Sequence, residues 1–229
     1  MLAQYFQMEK IPLLIIGSSG HAKVIIDIVE KQGKYYIIGL IDSFRSIGEE
    51  TLGYRVLGDE NLIIKYAIEF NNLHLFIAIG DNAVRHKVTN KINALGVDFS
   101  YASVVHPSAI IGKDVKIGVG VAVMAGAVIN PASAIGNFSI INTASSIDHD
   151  CQVDDFATIS PGAILGGSVK IGQFAVVSIG AKVIHGINIG EDSIVGAGAT
   201  VINHIGNNEI HVGVPARKLR NRNHGEKYL

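Results

Sequence analysis

The stretch INTASSIDHDCQVDDFATISPGAILGGSVK, residues 141–170, carries an aliphatic residue at every sixth position: Ile141, Ile147, Val153, Ile159 and Leu165. Followed outward in both directions, the period runs unbroken through 17 hexads, from 105 to 206. The first place is Val, Ile or Leu throughout, the fifth is Ala, Ser, Cys, Val or Ile, and the second is Gly in seven hexads. A helix cannot use this pattern, because at about 100° per residue a period of six keeps no single face apolar. Each interior glycine would also cost a helix roughly 1 kcal/mol. A short period sustained over this length is the signature of a solenoid. Each hexad is then a short strand plus a turn, and three hexads close a triangular coil. The aliphatic first place fills the prism, the small fifth place fits where faces converge, and Gly and Asn suit the turns.

Residues 12–104 follow a different grammar. PLLIIG (12–17), YYIIGLID (35–42) and LHLFIAIG (73–80) read as buried strands. HAKVIIDIVEKQG (21–33) reads as a helix with Val24, Ile25, Ile28 and Val29 at core spacing and Gly33 as its C-cap. NLIIKYAIEF (61–70) and NAVRHKVTNKINALG (82–96) read as helices, and VDFSYASVV (97–105) as extended. Alternating strands and helices predict a small parallel α/β sheet. The expected organisation is an α/β domain over 1–104, a solenoid over 105–206 and a tail over 207–229.

Composition narrows the function classes. The chain is 48% apolar and 17% charged, with net charge -1 and no run of like charge, which disfavours nucleic acid. Cys151 is the single cysteine, so no intrachain disulfide and no cysteine-rich zinc site is expected. In its inward fifth place it reads as core rather than nucleophile. The opening MLAQYFQMEKIPLLIIG is too short in its apolar run for a signal peptide, and no apolar run reaches the roughly 18 residues of a membrane span. A soluble cytoplasmic protein is expected.

Within the opening stretch, Asp148, His149 and Asp150 stand together, and the hexad register puts His149 at an outward third place. Three readings fit such a histidine: a solvated turn residue, a metal ligand or a general base. Imidazole titrates near neutrality and suits proton transfer. His185 occupies the equivalent place two coils on, roughly 10 Å away at about 4.8 Å per strand, too far to share one ion directly. His106 and His204 read as turn residues. Near the start, Gly17-Ser18-Ser19-Gly20-His21 joins a strand to a helix, where backbone N–H groups favour phosphate. Asp42 ends the second strand, where an acid contacts base or ribose in nucleotide-binding sheets, and Gly80 ends the third strand at the same edge.

IIGSSGHAKVIID, LIDSF, FIAIGDN, the stretch from Ile141 to Gly172 and VGVPAR together resemble one family over roughly residues 11–218. It is the bacterial sugar acyltransferases with hexapeptide repeats, of the sialic-acid O-acetyltransferase and UDP-4-amino-sugar N-acetyltransferase type. The resemblance implies a Rossmann-like domain for the sugar nucleotide, then a left-handed parallel β-helix that trimerises and holds acetyl-CoA between subunits. It implies His149 as general base and Asp150 as its partner, a place where relatives often have Glu. It assigns Ser19, Gly20, His21, Asp42 and Gly80 to the sugar nucleotide, Asn142 to the acceptor, and Thr158, Ile179 and Ala197 to CoA. Gly167 joins the CoA set by its place one coil after His149, and Arg217, of the basic stretch with Lys218, Arg220 and Arg222, by a charge suited to CoA phosphates. Relatives can have His where Thr158 stands, and two acids where this chain has Asp42-Ser43. In this reading Gly167 lets the thioester approach.

The activity implied is acetyl-CoA-dependent N-acetylation of a nucleotide-linked amino sugar, a UDP-4-amino-4,6-dideoxy sugar first, for surface glycans. The thiolate leaves readily, so no protein nucleophile is required. The alternatives are O-acetylation of a sialic-acid-like sugar, and a carbonic-anhydrase-like zinc protein with histidines meeting across a trimer interface. Acetyl-CoA is the expected co-substrate, with no metal. A homotrimer is expected also because a lone prism leaves aliphatic faces exposed.

Overall fold

The computed structural model of the chain describes residues 10–227. Residues 1–9, most of the stretch read above as no signal peptide, lie outside the described residues.

The first layer is a six-stranded sheet. Its elements are β1 (Ile11–Ile16), α1 (Gly20–Gln32), β2 (Tyr35–Ile41), β3 (Glu50–Thr51), β4 (Tyr54–Gly58), α2 (Leu62–Glu69), β5 (His74–Ile77), α3 (Asn82–Asn93) and β6 (Ser100–Tyr101). The strand order is β3-β4-β2-β1-β5-β6, parallel except for the β3–β4 hairpin. β1 is central and Leu13 to Ile16 are buried on both faces, which explains its continuous apolar run. Gly33 closes α1 in the left-handed region at φ 69°. β3 and β4 had no counterpart in the sequence reading.

One helix face differs from expectation. Val24 is exposed, whereas Ala22, Ile25, Ile26, Ile28 and Val29 are buried. The arc is wider than one stripe because α1 is packed on two sides. It meets the sheet through Leu13, Ile15 and Leu40, and the solenoid through Val104, Ala122, Met124 and Ile140.

From Val104 the chain winds as a left-handed parallel β-helix of triangular section. Two-residue strands line three faces and pair in parallel with the strand 18 residues on. The first face includes Ala122–Val123, Ile140–Ile141, Thr158–Ile159, Val176–Val177 and Ile194–Val195. The second includes Val128–Ile129, Ser146–Ile147, Ile164–Leu165 and Lys182–Val183. The third includes Ala134–Ile135, Gln152–Val153 and Lys170–Ile171. First and fifth places fill the prism, with Ile141, Ile147, Ile159 and Ala163 fully buried. Serine is tolerated at the fifth place because its hydroxyl finds a carbonyl: Ser133 donates to Asp148 O at 2.8 Å and Ser139 to Asp154 O at 2.8 Å.

The turn residue in the left-handed region is the fourth of the hexad, including Phe138, Asp150, Phe156 and Phe174 at φ 55–59°. The second-place glycines serve another purpose. A Cβ on Gly172 would stand 2.6 Å from Glu191 N, in the coil that follows. They are required by the closeness of the coils, not by φ.

Residues 209–221, expected as part of a tail, are not one. Glu209–Val212 joins the first face in parallel, and Arg217–Asn221 folds back on it antiparallel, so the pair covers the end of the prism. Arg222 is anchored there by a buried ion pair with Asp192.

The two layers are locked through α3. Phe138, Phe156 and Phe174 project from successive coils and stack at 5.0 and 5.5 Å between centroids. Asp81 caps the helix by accepting from Val84 N at 2.9 Å. Arg85, 1% exposed, donates to Phe138 O at 2.8 Å and Phe156 O at 3.1 Å, and to Ile79 O and Gly80 O at 2.8 Å each. Removing it leaves buried carbonyls without this donor. Arg85→Ala should therefore lower unfolding free energy by about 3–5 kcal/mol, read as a lower urea midpoint.

Candidate functional site

Two groups of predicted residues sit at different places in the fold. The first is at the carboxyl edge of the parallel sheet, where β1, β2 and β5 end. The loop after β1 turns at Gly17 (φ 99°), where a Cβ would press on Ala78 O at 3.0 Å, so glycine is needed there. Ser18 Oγ donates to Asp42 Oδ2 at 2.5 Å, and Phe44 N donates to Asp42 Oδ1 at 2.8 Å. These bonds fix the Asp42 carboxylate at the strand end. A cavity of about 340 Å³ opens there, lined by Ser19, Asp42, Phe44, Glu60, Ile79 and Gly80 among others. It brings together Ser19, Asp42 and Gly80. A neighbouring hollow of about 520 Å³ shares Asp42, Ser43 and Arg45 as its wall.

Gly20 opens α1 and His21 follows in its first turn. His21 Nε2 is buried without a hydrogen-bond partner among the described residues. Burial first, and the Arg85 charge second, lower its pKa to about 4, so the ring is neutral at pH 7.

Glu60 was missed in the sequence. It is buried at the cavity rim, accepts from Ser43 Oγ, and takes Lys91 Nζ at 2.7 Å. Burial works to raise its pKa, but the Lys91 and Ser43 hydrogen bonds prevail and the net shift is downward. Its only sequence signal was position just after β4, a strand not foreseen.

The second group lies on the solenoid. His149 follows the second-face strand Ser146–Ile147, on the edge where the second and third faces meet. Its side chain is 59% exposed, and Nδ1 lies 2.8 Å from Asp150 Oδ2. The left-handed φ of Asp150 turns its carboxylate back onto the preceding ring, a conformation Asp tolerates better than most residues. The hydrogen bond to Asp150, then the Asp148 charge, raise the His149 pKa above the ordinary imidazole value. Gly167 is one coil on, and the imidazole occupies the space its Cβ would take, 2.7 Å from Cε1. Cys151 is 2% exposed, burial raises its thiol pKa, and Sγ donates to Gly166 O, so the thiol is core.

The residues assigned to CoA separate. Ile179 and Ala197 line one cavity of about 410 Å³ with Ser160, Ser178 and Gly196, on the edge between the first and second faces. Its basic members are Arg220 and Lys227, not Arg217, which is exposed and donates to Ala216 O. The antiparallel return of Arg217–Asn221 brings Arg220 there, a pairing with no sequence signal. Thr158 does not join them. It is 5% exposed under α3, and its hydroxyl donates to Asn82 Oδ1 at 2.7 Å, so the fold engages it internally rather than presenting it to CoA. Asn142 stands on the same edge as Ser160 and Ser178, one and two coils before them, with Oδ1 accepting from Thr143 N at 2.7 Å. One copy of the chain therefore carries His149 on one edge and the Ile179 cavity on another. Among the described residues, no group of three or more His, Cys, Asp or Glu side chains is placed to hold a metal ion.

Comparison with known proteins follows the same division. Residues 12–92 match the family described as the PglD N-terminal domain. A mutant perosamine N-acetyltransferase from Caulobacter crescentus, solved with CoA and GDP-perosamine, is 37% identical, with 92% of this chain and 97% of that chain covered at a TM-score of 0.86. The acetyltransferase domain of PglB from Neisseria gonorrhoeae, in complex with acetyl coenzyme A, is 32% identical over 92% of this chain and all of that one, with a TM-score of 0.83. The UDP-N-acetylbacillosamine N-acetyltransferase of Bacillus subtilis is 35% identical over 112 residues, 48% of this chain, and the match spans half the length of that relative. Likeness at this level across both layers, sheet and solenoid together, means that the chain belongs to the bacterial sugar acyltransferases with hexapeptide repeats.

Proposed function

We propose that the protein is an acetyl-CoA-dependent N-acetyltransferase acting on a nucleotide-linked 4-amino-4,6-dideoxy sugar that serves surface-glycan synthesis. The domain over 1–104 holds the nucleotide and the solenoid carries the acyl chemistry. The observation that carries this reading is the exposed His149–Asp150 pair on a solenoid edge, in a chain that also has a separate cavity at its sheet edge. The related structures, with CoA, acetyl-CoA or GDP-perosamine bound, support the same pair of substrates. The names of the relatives support transfer to nitrogen rather than oxygen.

In this mechanism the sugar amine attacks the thioester carbonyl. A C–N bond forms, the C–S bond breaks, and His149 Nε2 takes the proton the amine loses. That nitrogen has no hydrogen-bond partner among the described residues, because Nδ1 is the one engaged by Asp150. The imidazolium then returns its proton to the CoA thiolate. Asp150 sets the tautomer and favours the charged ring. Ser19, Gly20, Asp42 and Gly80 form the nucleotide rim, and His21 offers a neutral ring beside it.

The active assembly is a homotrimer. His149 and the Ile179–Ala197 cavity occupy different edges of one prism, so a site containing both takes the second from a neighbouring copy. Ile110, Ile164 and Ile179 stand exposed on the solenoid and supply apolar area for such contacts. No helix among the described residues is long and apolar enough to cross a membrane. Acetyl-CoA and nucleotide sugars are supplied in the cytoplasm, where we place the enzyme.

Several measurements test this. His149→Ala should lose at least about 10²-fold in kcat while keeping acetyl-CoA affinity, followed by CoA thiol release; near-wild-type turnover would reject the base. His149 must be neutral to accept a proton, and its raised pKa keeps it protonated to higher pH. The acid limb of kcat/KM should therefore lie above the ordinary imidazole value of about 6.5. Assayed against GDP- and UDP-linked 4-amino sugars and CMP-linked sialic acid, turnover should be confined to the amino sugars. Light scattering should give three times the 24.3 kDa chain mass, and a monomer would contradict the shared site.

A further inference from the structure

Asp148 belongs to neither substrate group above, yet its place is well defined. Its Oδ1 accepts from His149 N at 2.8 Å and from Asn130 Nδ2 at 2.9 Å. Asn130 occupies the equivalent place one coil earlier, so the second bond ties the His149 turn to the coil beneath. The backbone is tied in the same column. Asp150 N donates to Pro131 O at 3.1 Å and Ser168 N donates to His149 O at 2.9 Å. The ring itself lies over Gly167, on the following turn, where an added side chain would collide with it.

We infer that Asp148, held by Asn130, is a positioning residue for the His149 base and that Gly167 is the seat of its imidazole rather than a point of thioester approach. The inference rests on the reading of His149 as the base. Asp148 clamps the main chain on one side of the histidine, Asp150 holds Nδ1 on the other, and Gly167 leaves room for the ring between coils. Three constraints on an exposed side chain replace what burial supplies at most catalytic sites. Asp148 also acts by charge. The groups acting electrostatically on the ring are Asp150 and Asp148. The neighbours on the same column, Pro131 and Gly167, do not titrate, and Lys113 and His185 stand two coils away on either side. The hydrogen bond from Asn130 first, and that from His149 N second, keep Asp148 ionised by lowering its own pKa.

Gly167→Ala separates the two roles of the glycine. Gly167 has no left-handed φ, and the three atoms nearest its Cβ would all belong to the outer end of an exposed side chain, so the variant folds and the ring swings away. With the full-length protein, acetyl-CoA and whichever GDP- or UDP-linked 4-amino sugar turns over, kcat should fall about 10²-fold, with KM for acetyl-CoA within about twofold. An increase in KM for acetyl-CoA at unchanged kcat would overturn the seat and return Gly167 to the thioester. Asp148→Asn keeps an acceptor for both N–H groups and removes the charge. The His149 midpoint, followed by NMR titration of its ring protons, should move to lower pH, and the acid limb of kcat/KM should move with it. An unmoved midpoint would overturn the role of Asp148. The NMR midpoint does not depend on turnover, so it tests the electrostatic hold of Asp148 on the ring even if His149→Ala shows that the base lies elsewhere.

Discussion

Arg85 is the contact on which the relation between sheet and solenoid depends. Its guanidinium lies between the carbonyls of Ile79 and Gly80, at the rim of the sheet-edge cavity, and those of Phe138 and Phe156, on two successive coils. Only a planar fork with five donors can address so many acceptors from one buried position. Asn82 extends the lock by donating to Phe174 O, on the third coil, while accepting from Thr158. The same charge helps hold the His21 ring neutral. A single side chain thus sets the sheet-edge cavity against the solenoid and tunes a ring beside it.

This lock is rigid where the chemistry needs it and silent about the rest of the site. It fixes the sheet-edge cavity relative to one prism, but His149 and the cavity lined by Ile179 and Ala197 stand on different edges of that prism. No motion within a stack of paired coils joins two edges, because each coil is hydrogen-bonded to the next along every face. A second copy is the simplest means of completing the site, and its apolar edge contacts would exclude water from the thioester as well.

Much of this was legible in the residues, and what was not has identifiable causes. The six-residue period needed no tertiary information, since each hexad repeats one strand and one corner. Ile147 and Cys151 fell inward and His149 outward as the register requires. Where two layers meet, local pattern failed. Val24 looked like core on a helix with one buried face, but α1 has two partners and rotates its buried arc toward Ile26. Thr158 looked like a ligand contact by its match to the family, but its neighbour is Asn82, distant in sequence and close in space. Arg220 reached its cavity through an antiparallel return that no periodicity announces.

Two adjacent glycines show where the repeat ends and function begins. Gly166, at the second place, lacks a Cβ because the following coil's backbone is 2.7 Å from where it would stand. Gly112, Gly136, Gly172 and Gly190 stand equally close to the backbone of the coil that follows, so at these second places glycine serves a structural purpose. Gly167, at the third place, is constrained from the other side, where the three nearest atoms all belong to the imidazole of His149. The hexad one coil earlier inverts the pattern, with Asp148 where glycine is common and a histidine where the turn faces out. Departures of this kind from a regular repeat are expected where a fold gives up local consistency for chemistry. The carboxylate, the ring and the bare backbone lie on one edge two coils deep, so the departures amount to one device: an imidazole held in place on an open edge without being buried.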